Sequence, residues 1–192
     1  MITKPHSITL LLGTSLLTAL AIEPHPDAVP NFHPVGDVDV EANVKFIVAE
    51  PAELEGIVLD ETDAVLVGEW QYSTHTPPYV GIGYLHDKKS SKGEKSVTWH
   101  PEFPEAGRYE VRVSHCYNVR RATNTPITIE HAGGQTTVWI NQQEVPEHGR
   151  LFRSLGVFEF RAGKSGTVVI SNEKTDWDKV VVADAVQFLR LE

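Results

Sequence analysis

The sequence predicts an all-β fold, an antiparallel two-sheet β-sandwich of the jelly-roll kind, and three observations carry that reading. Apolar residues alternate at period two in short runs, which sets one face of each strand against a core. Turn signals rich in glycine separate these runs at a spacing of about ten residues, the rhythm of sandwich architectures. No window of helical length keeps an apolar i, i+3, i+4, i+7 stripe free of Gly or Pro.

Taken in order, residues 1–21 stand apart from the fold. Lys4 and His6 precede the apolar run 8–21, which ends in Ala19-Leu20-Ala21. A basic start, an apolar middle and a small-x-small end read as a secretory signal peptide. The run is shorter than the roughly 20 residues that span a bilayer, so no membrane span is expected in the mature chain. The expected location is secreted, periplasmic or cell-surface. Residues 22–56 hold five prolines and eight acids against the single base Lys45. That composition reads as an acidic, Pro-rich linker or arm in which only residues 44–48 (VKFIV) suit a short strand.

Residues 57–192 form the expected domain, with 15 bases against 18 acids. Strand alternation is clearest in residues 95–99 (KSVTW), 109–113 (YEVRV) and 125–129 (TPITI), and further runs follow at 136–140, 155–160, 167–170 and 179–189. Between them lie the turn signals Glu105-Ala106-Gly107, Ala132-Gly133-Gly134 and residues 162–166 (AGKSG).

Composition removes several function classes. The chain's 192 residues include 17 Lys plus Arg against 26 Asp plus Glu, a net charge of −9. Such a balance does not suit general nucleic-acid binding, which needs clustered cations on phosphates. A single cysteine excludes an intrachain disulfide framework and a thiolate metal cluster. The sequence contains no G-x-S-x-G elbow, P-loop, H-E-x-x-H or dinucleotide fingerprint, and its nine histidines are scattered.

A set of motifs then points to a family: Gly68-Glu69-Trp70, Pro78-Tyr79-Val80-Gly81, residues 104–111 (PEAGRYEV), Arg121-Ala122-Thr123-Asn124, His131-Ala132-Gly133-Gly134, residues 138–142 (VWINQ), Ser154-Leu155-Gly156 and residues 182–186 (VADAV). In that order, over residues 56–191, the chain resembles the golvesin-like, xanthan-lyase-type carbohydrate-binding module. The resemblance implies a jelly-roll sandwich of the sort appended to extracellular bacterial enzymes, with carbohydrate as its ligand. Two stretches depart from the family pattern, Asp176-Trp177-Asp178 and residues 115–119 (HCYNV). Both fall in loops and bear on ligand choice rather than on fold.

Sugars stack their C–H faces on exposed rings while their hydroxyls meet polar side chains, so the orientation of each aromatic matters. Trp99 shares parity with Val97 and belongs to the core, as does Tyr109 with Val111 and Val113. Trp139 lies between Val138 and Ile140, which take the inner face, and so points outward on the side of Thr137 and Asn141. Trp177 sits in a charged loop between Asp176 and Asp178. The expected ligand contacts are therefore Trp139, Asn141, Trp177, Asp176 and Asp178. The alternative for both exposed rings is packing against the sandwich itself.

Asp184 shares parity with Val182, Val186 and Phe188, which turns a carboxylate into the core, where an unpaired charge is costly. The expectation is a protein-only network of structural residues, with Arg121 as the candidate partner and Asn124 in the same motif. Calcium held by Asp60, Asp63 and Asp184 is the alternative, and a bulge turning Asp184 outward is a third. Cys116 is expected to be buried and inert.

The resulting functional expectation is a secreted, non-catalytic module that binds polysaccharide or a cell-surface glycan and needs no cofactor. Two alternatives stand beside it: an adhesion or structural module holding another extracellular protein, and a small polysaccharide lyase.

Overall fold

The computed structural model describes residues 48–192; the segment 1–21 and residues 22–47 of the arm lie outside the described residues. Those described form fourteen strands and two short 3-10 turns, Pro51–Glu53 and Glu61–Asp63. The strands are β1 (Val48–Ala49), β2 (Ile57–Leu59), β3 (Val65–Val67), β4 (Gln71–Ser73), β5 (Tyr79–Val80), β6 (Tyr84–His86) and β7 (Ser96–Trp99). There follow β8 (Gly107–Ser114), β9 (Thr125–His131), β10 (Gly134–Ile140), β11 (Phe152–Phe160), β12 (Thr167–Ser171), β13 (Val182–Ala183) and β14 (Val186–Arg190). No helix among the described residues is long and apolar enough to cross a membrane.

Two sheets make the body of the domain. One has five strands in the order β10-β9-β12-β7-β3, and the other has four in the order β11-β8-β14-β2. All their pairings are antiparallel, although only β9 and β10 are consecutive in the chain and the other neighbours are brought together by crossovers between the sheets. Smaller pieces close one end: β13-β6-β4, and a parallel pair of β1 with β5.

Side chains at alternate positions of both sheets fill the core. Val97 and Trp99 on β7, Tyr109, Val111 and Val113 on β8, Ile127 and Ile129 on β9, and Val168 and Ile170 on β12 are all buried. Period-two alternation thus becomes the inner face, as the sequence predicts. At one end Phe103 stacks on Phe160 with ring centroids 4.3 Å apart, and Phe188 meets both edge-on. Offset and edge-to-face contacts of this kind add to what area burial alone supplies. The Ser154-Leu155-Gly156 motif marks a β-bulge where β11 slips against β8. Gly156 adopts φ 122° there, a conformation that side chains disfavour.

The boundary of the arm shifts. Residues 22–56 read as one linker, yet its end from Val48 onward has regular structure. Val48 pairs with Tyr79, Ala49 pairs with Val80, and Gly81 N donates to Ala49 O at 2.9 Å. Gln187 also donates to Glu55 O at 2.8 Å. The short strand that the sequence allows at residues 44–48 meets β1 only at Val48, because two residues carry no periodicity to fix its bounds.

The strand ends bring four loops together. Ala122 N donates to Val180 O and Val180 N to Arg120 O, both at 2.9 Å, so the β8–β9 loop is zipped to the β12–β13 loop. The β6–β7 loop is held from inside. Asp87, fully buried, accepts from Lys92 Nζ at 2.8 Å, from Asn172 Nδ2 at 3.2 Å and from Val181 N at 3.0 Å. Lys95 Nζ donates to Asp87 O at 2.8 Å. Saturated buried charges of this kind fix a loop in one arrangement.

Candidate functional site

Two polar assemblies occupy the loop end of the domain, one sealed and one open. The sealed one surrounds Asp184. This carboxylate is fully buried in the short link between β13 and β14, where neighbours of both parities are buried too, so the unbroken alternation expected there does not hold. It accepts from Val80 N, 3.2 Å from each oxygen, and from the Ser114 hydroxyl. Its neighbours are two further buried acids, Asp60 and Glu61, and one ligand atom from each of the three lies within 4.8 Å of the others. Gly81, at φ 61°, lies against Asp60 so closely that a β-carbon there would collide with the carboxylate.

Two expectations are corrected here. Arg121 is not the partner of Asp184: its guanidinium runs the other way, to Cys116 and Tyr84. Sequence parity fixes the face of a side chain but not its direction within the core. The third acid is Glu61 and not Asp63, because Asp63 turns back to accept from Asp60 N at 3.0 Å and caps the 3-10 turn.

Burial pushes the Glu61 carboxyl up to about 9, and burial also raises Asp60 and, by much more, Asp184. Both oxygens of Glu61 are buried without a hydrogen-bond partner. Three hard oxygen donors, one wholly unsatisfied, fit a calcium ion, which takes carboxylate and carbonyl oxygens. Asp60, Glu61 and Asp184 would hold it, and its charge would relieve the repulsion among them.

The open assembly is a cleft of about 710 Å³ between the β4–β5, β6–β7, β8–β9 and β12–β13 loops. Tyr84 and His86 from β6 and Arg121 line it, with Ser73 at the end of β4, His75 after it, Lys89, and the run Asn118 to Arg120. Arg121 is the anchor, 7% exposed. It donates from Nε to Cys116 O, and from Nη2 to Tyr84 Oη and Cys116 Sγ, each at 3.2 Å. His86 Nδ1 accepts from Lys88 N at 3.3 Å, so in the neutral ring the proton sits on Nε2. Burial, and next to it the charge of Arg121, lowers the His86 pKa and keeps that neutral form dominant.

The sequence-predicted contacts are placed as follows. Trp139 is 52% exposed on the outer face of β10, opposite Pro126 of β9, and Thr137 beside it bonds Thr128 at 2.9 Å. Asn141 is engaged in its own turn, accepting from Gln143 N at 3.0 Å and donating to Glu144 at 3.2 Å. Neither residue is among those lining the cleft. Trp177 is 82% exposed on the loop whose far end, Val180, does line it. Asp178 is exposed beside it. Asp176 has a bracing role: Oδ2 accepts from Thr123 N and Oγ1, both at 2.8 Å, which holds the carboxyl below its usual range. Asn124 completes the brace, donating to Lys174 O at 2.8 Å and accepting from Asp176 N at 2.9 Å. Trp99 is a core residue whose Nε1 donates to Asp60 O at 2.8 Å.

His75, His86, Lys89 and Arg120 are scattered along the sequence, and reasoning along the strands passes over them. One signal does exist. Residues 111–129 contain no acid but hold Arg112, His115, Arg120 and Arg121, in a chain otherwise rich in Asp and Glu.

Comparison with known proteins fixes the family. A curated xanthan lyase from Bacillus sp. (strain GL1) is 38% identical over 142 residues, which is 71% of this chain and 15% of that enzyme. The chain thus spans a small part of the length of the relative it matches. The solved structure of a Paenibacillus xanthan lyase aligns with a TM-score of 0.65 at 33% identity, covering 70% of this chain and 13% of that one. A Podospora anserina GH26-CBM35 β-(1,4)-mannanase structure aligns at 0.52 and 17% identity over 71% of this chain and 28% of its own, a likeness of fold. The family model described as the Golvesin C-terminal domain matches residues 57–190, and the chain belongs to that family.

Proposed function

We propose that this domain is a non-catalytic glycan-binding module and that the cleft beside Trp177 receives the sugar. The observation that carries the reading is the cleft itself. It gathers hydroxyl, amide, imidazole and guanidinium groups from four loops, one of which, fixed by Asp176 and Asn124, also carries a ring that is 82% exposed. Glycan sites need both parts, polar groups for hydroxyls and an aromatic plane for the sugar face. The similarity to xanthan lyases and to a mannanase carrying a CBM35 supports carbohydrate as the ligand class. Export of the chain is part of the same proposal, supported by the apolar run 8–21 and its small-x-small end.

Affinity electrophoresis of the full chain through gels containing neutral and acidic polysaccharides tests the reading. At least one polysaccharide should retard the chain. Trp177→Ala should abolish the retardation with little change in melting temperature, since loss of one stacking ring costs about 1–3 kcal/mol by analogy with bases on aromatic side chains. Trp99→Ala is the contrasting control and should destabilise by about 3–5 kcal/mol as a core truncation. Trp139→Ala separates the cleft from the outer face of β10. If it alone abolishes retardation, the site lies on that face. Absence of retardation across the panel would refute glycan binding.

A further inference from the structure

We infer that the cleft selects a glycan carrying carboxylates, and that Arg121, Arg120 and Lys89 recognise the acid directly; this rests on the glycan-binding reading above.

The chain is acidic, with 26 Asp plus Glu against 17 Lys plus Arg, yet none of the described residues lining the cleft is an Asp or a Glu. Lys89, Arg120 and Arg121 all face it, with His75 and His86. Chance placement in an acidic protein does not favour three cations and no acid among the lining residues of one opening.

Arg121 makes the stronger point. It is nine-tenths buried and always charged, and all three of its hydrogen bonds go to neutral acceptors: a carbonyl, a phenol and a thiol. Among the described residues it meets no carboxylate within ion-pair distance. By contrast, buried Lys95 donates to a backbone carbonyl and a hydroxyl while Asp87 lies in the same network, paired with Lys92. A buried cation lacking a counter-charge costs several kcal/mol unless something supplies one. Arg121 lines the cleft with its guanidinium against the Tyr84 ring, 5.4 Å from the centroid, so an anion entering the cleft can supply the counter-charge.

Geometry favours a carboxylate on a sugar over a bare anion. A guanidinium fork and an imidazole Nε2–H suit planar oxygen pairs. Ser73, Asn118 and Thr76 around them offer hydroxyl and amide groups for the rest of a sugar ring. The backbone that carries the rim cations is braced before the ligand arrives. Arg120 N, for example, donates to Asn118 Oδ1 at 3.0 Å, and Lys89 N donates to Asp87 Oδ1 at 3.0 Å.

Calorimetry on the full chain with three polymers tests this inference: polygalacturonate, the same polymer with its carboxyls reduced to alcohols, and dextran sulfate. Polygalacturonate should bind, and the reduced polymer, identical but for charge, should bind at least about tenfold more weakly, equivalent to 1.4 kcal/mol. Affinity should fall between 20 and 300 mM NaCl because the rim cations are exposed to screening, an effect set by a Debye length of about 10 Å at 0.1 M. The double variant Lys89→Ala/Arg120→Ala should lose about tenfold with its melting temperature unchanged. Arg121→Gln should lose binding too, and the rim variant keeps the test intact if that protein fails to fold. Equal binding of the reduced polymer, or an unaffected rim variant, would overturn the inference. So would tighter binding of dextran sulfate, which would mark a general polyanion patch. A chain that binds only neutral polysaccharides in the gel assay refutes carboxylate selection and leaves the glycan-binding reading standing.

Discussion

Arg121 Nη2 lies 3.2 Å from the Sγ of Cys116, five residues before it, and the two groups pull the thiol in opposite directions. The guanidinium favours the thiolate, while complete burial disfavours it. Burial wins, pushing the thiol up to about 11. A cation alone is therefore not enough to make a cysteine reactive, because the charge must also outweigh desolvation.

The first prediction follows directly. Cys116 should resist alkylation by iodoacetamide and reaction with a disulfide reagent at pH 8 in the folded protein, and react fully in denaturant. Fast labelling of the folded chain would show that the β8–β9 loop opens far more often than its zipped hydrogen bonds with Val180 imply.

The second prediction concerns Asp60, Glu61 and Asp184. Calcium at millimolar concentration should raise the melting temperature, and EDTA should reverse the gain, because an ion bound only by the folded state stabilises it by mass action. Glu61→Gln should remove the calcium response while leaving the fold intact, since both Glu61 oxygens lack partners in its absence. Asp184→Ala should be worse, costing about 1–3 kcal/mol for the stranded Val80 N–H and Ser114 hydroxyl alone. A melting temperature indifferent to both calcium and EDTA would mean that the three acids share protons instead of an ion.

Particular residues show how far the sequence could be read. Trp99, Tyr109 and Trp139 all face as parity predicts, because each lies in an alternating run whose period has one physical meaning, a pleat with one side dry. Val48–Ala49, Tyr79–Val80 and Val182–Ala183 are strands of two residues, too short for a period, so the small closing sheets and the true edge of the arm were not legible. Asp184 is buried as expected but not through alternation, since it lies in the break between β13 and β14 where neighbours of both parities are buried, and its company was not legible. Val80 is 104 residues away in sequence, and Asp60 and Glu61 are farther still. The cleft shares this limit, being assembled from loop residues that four separate strand ends bring together.

The last prediction uses His115, which is fully buried with neither ring nitrogen hydrogen-bonded. Burial, aided by the charges of Arg153 and Arg121, lowers its pKa to about 3. An unfolded chain would bind a proton at this ring near the ordinary value of about 6.5. Between those two values the unfolded state holds more protons than the folded one, so acid favours unfolding. Stability from this group is intact above pH 6.5 and falls as pH drops toward 3, by up to about 1.4 kcal/mol per pH unit. His115→Phe should flatten that part of the stability curve measured by urea unfolding at several pH values. At pH 7 the variant should be near neutral or slightly more stable, because it removes two unsatisfied buried polar atoms and keeps the ring's shape. Marked destabilisation at pH 7 would instead show that the imidazole makes a hydrogen bond in solution, and an unchanged slope below pH 6 would assign the acid sensitivity to other groups.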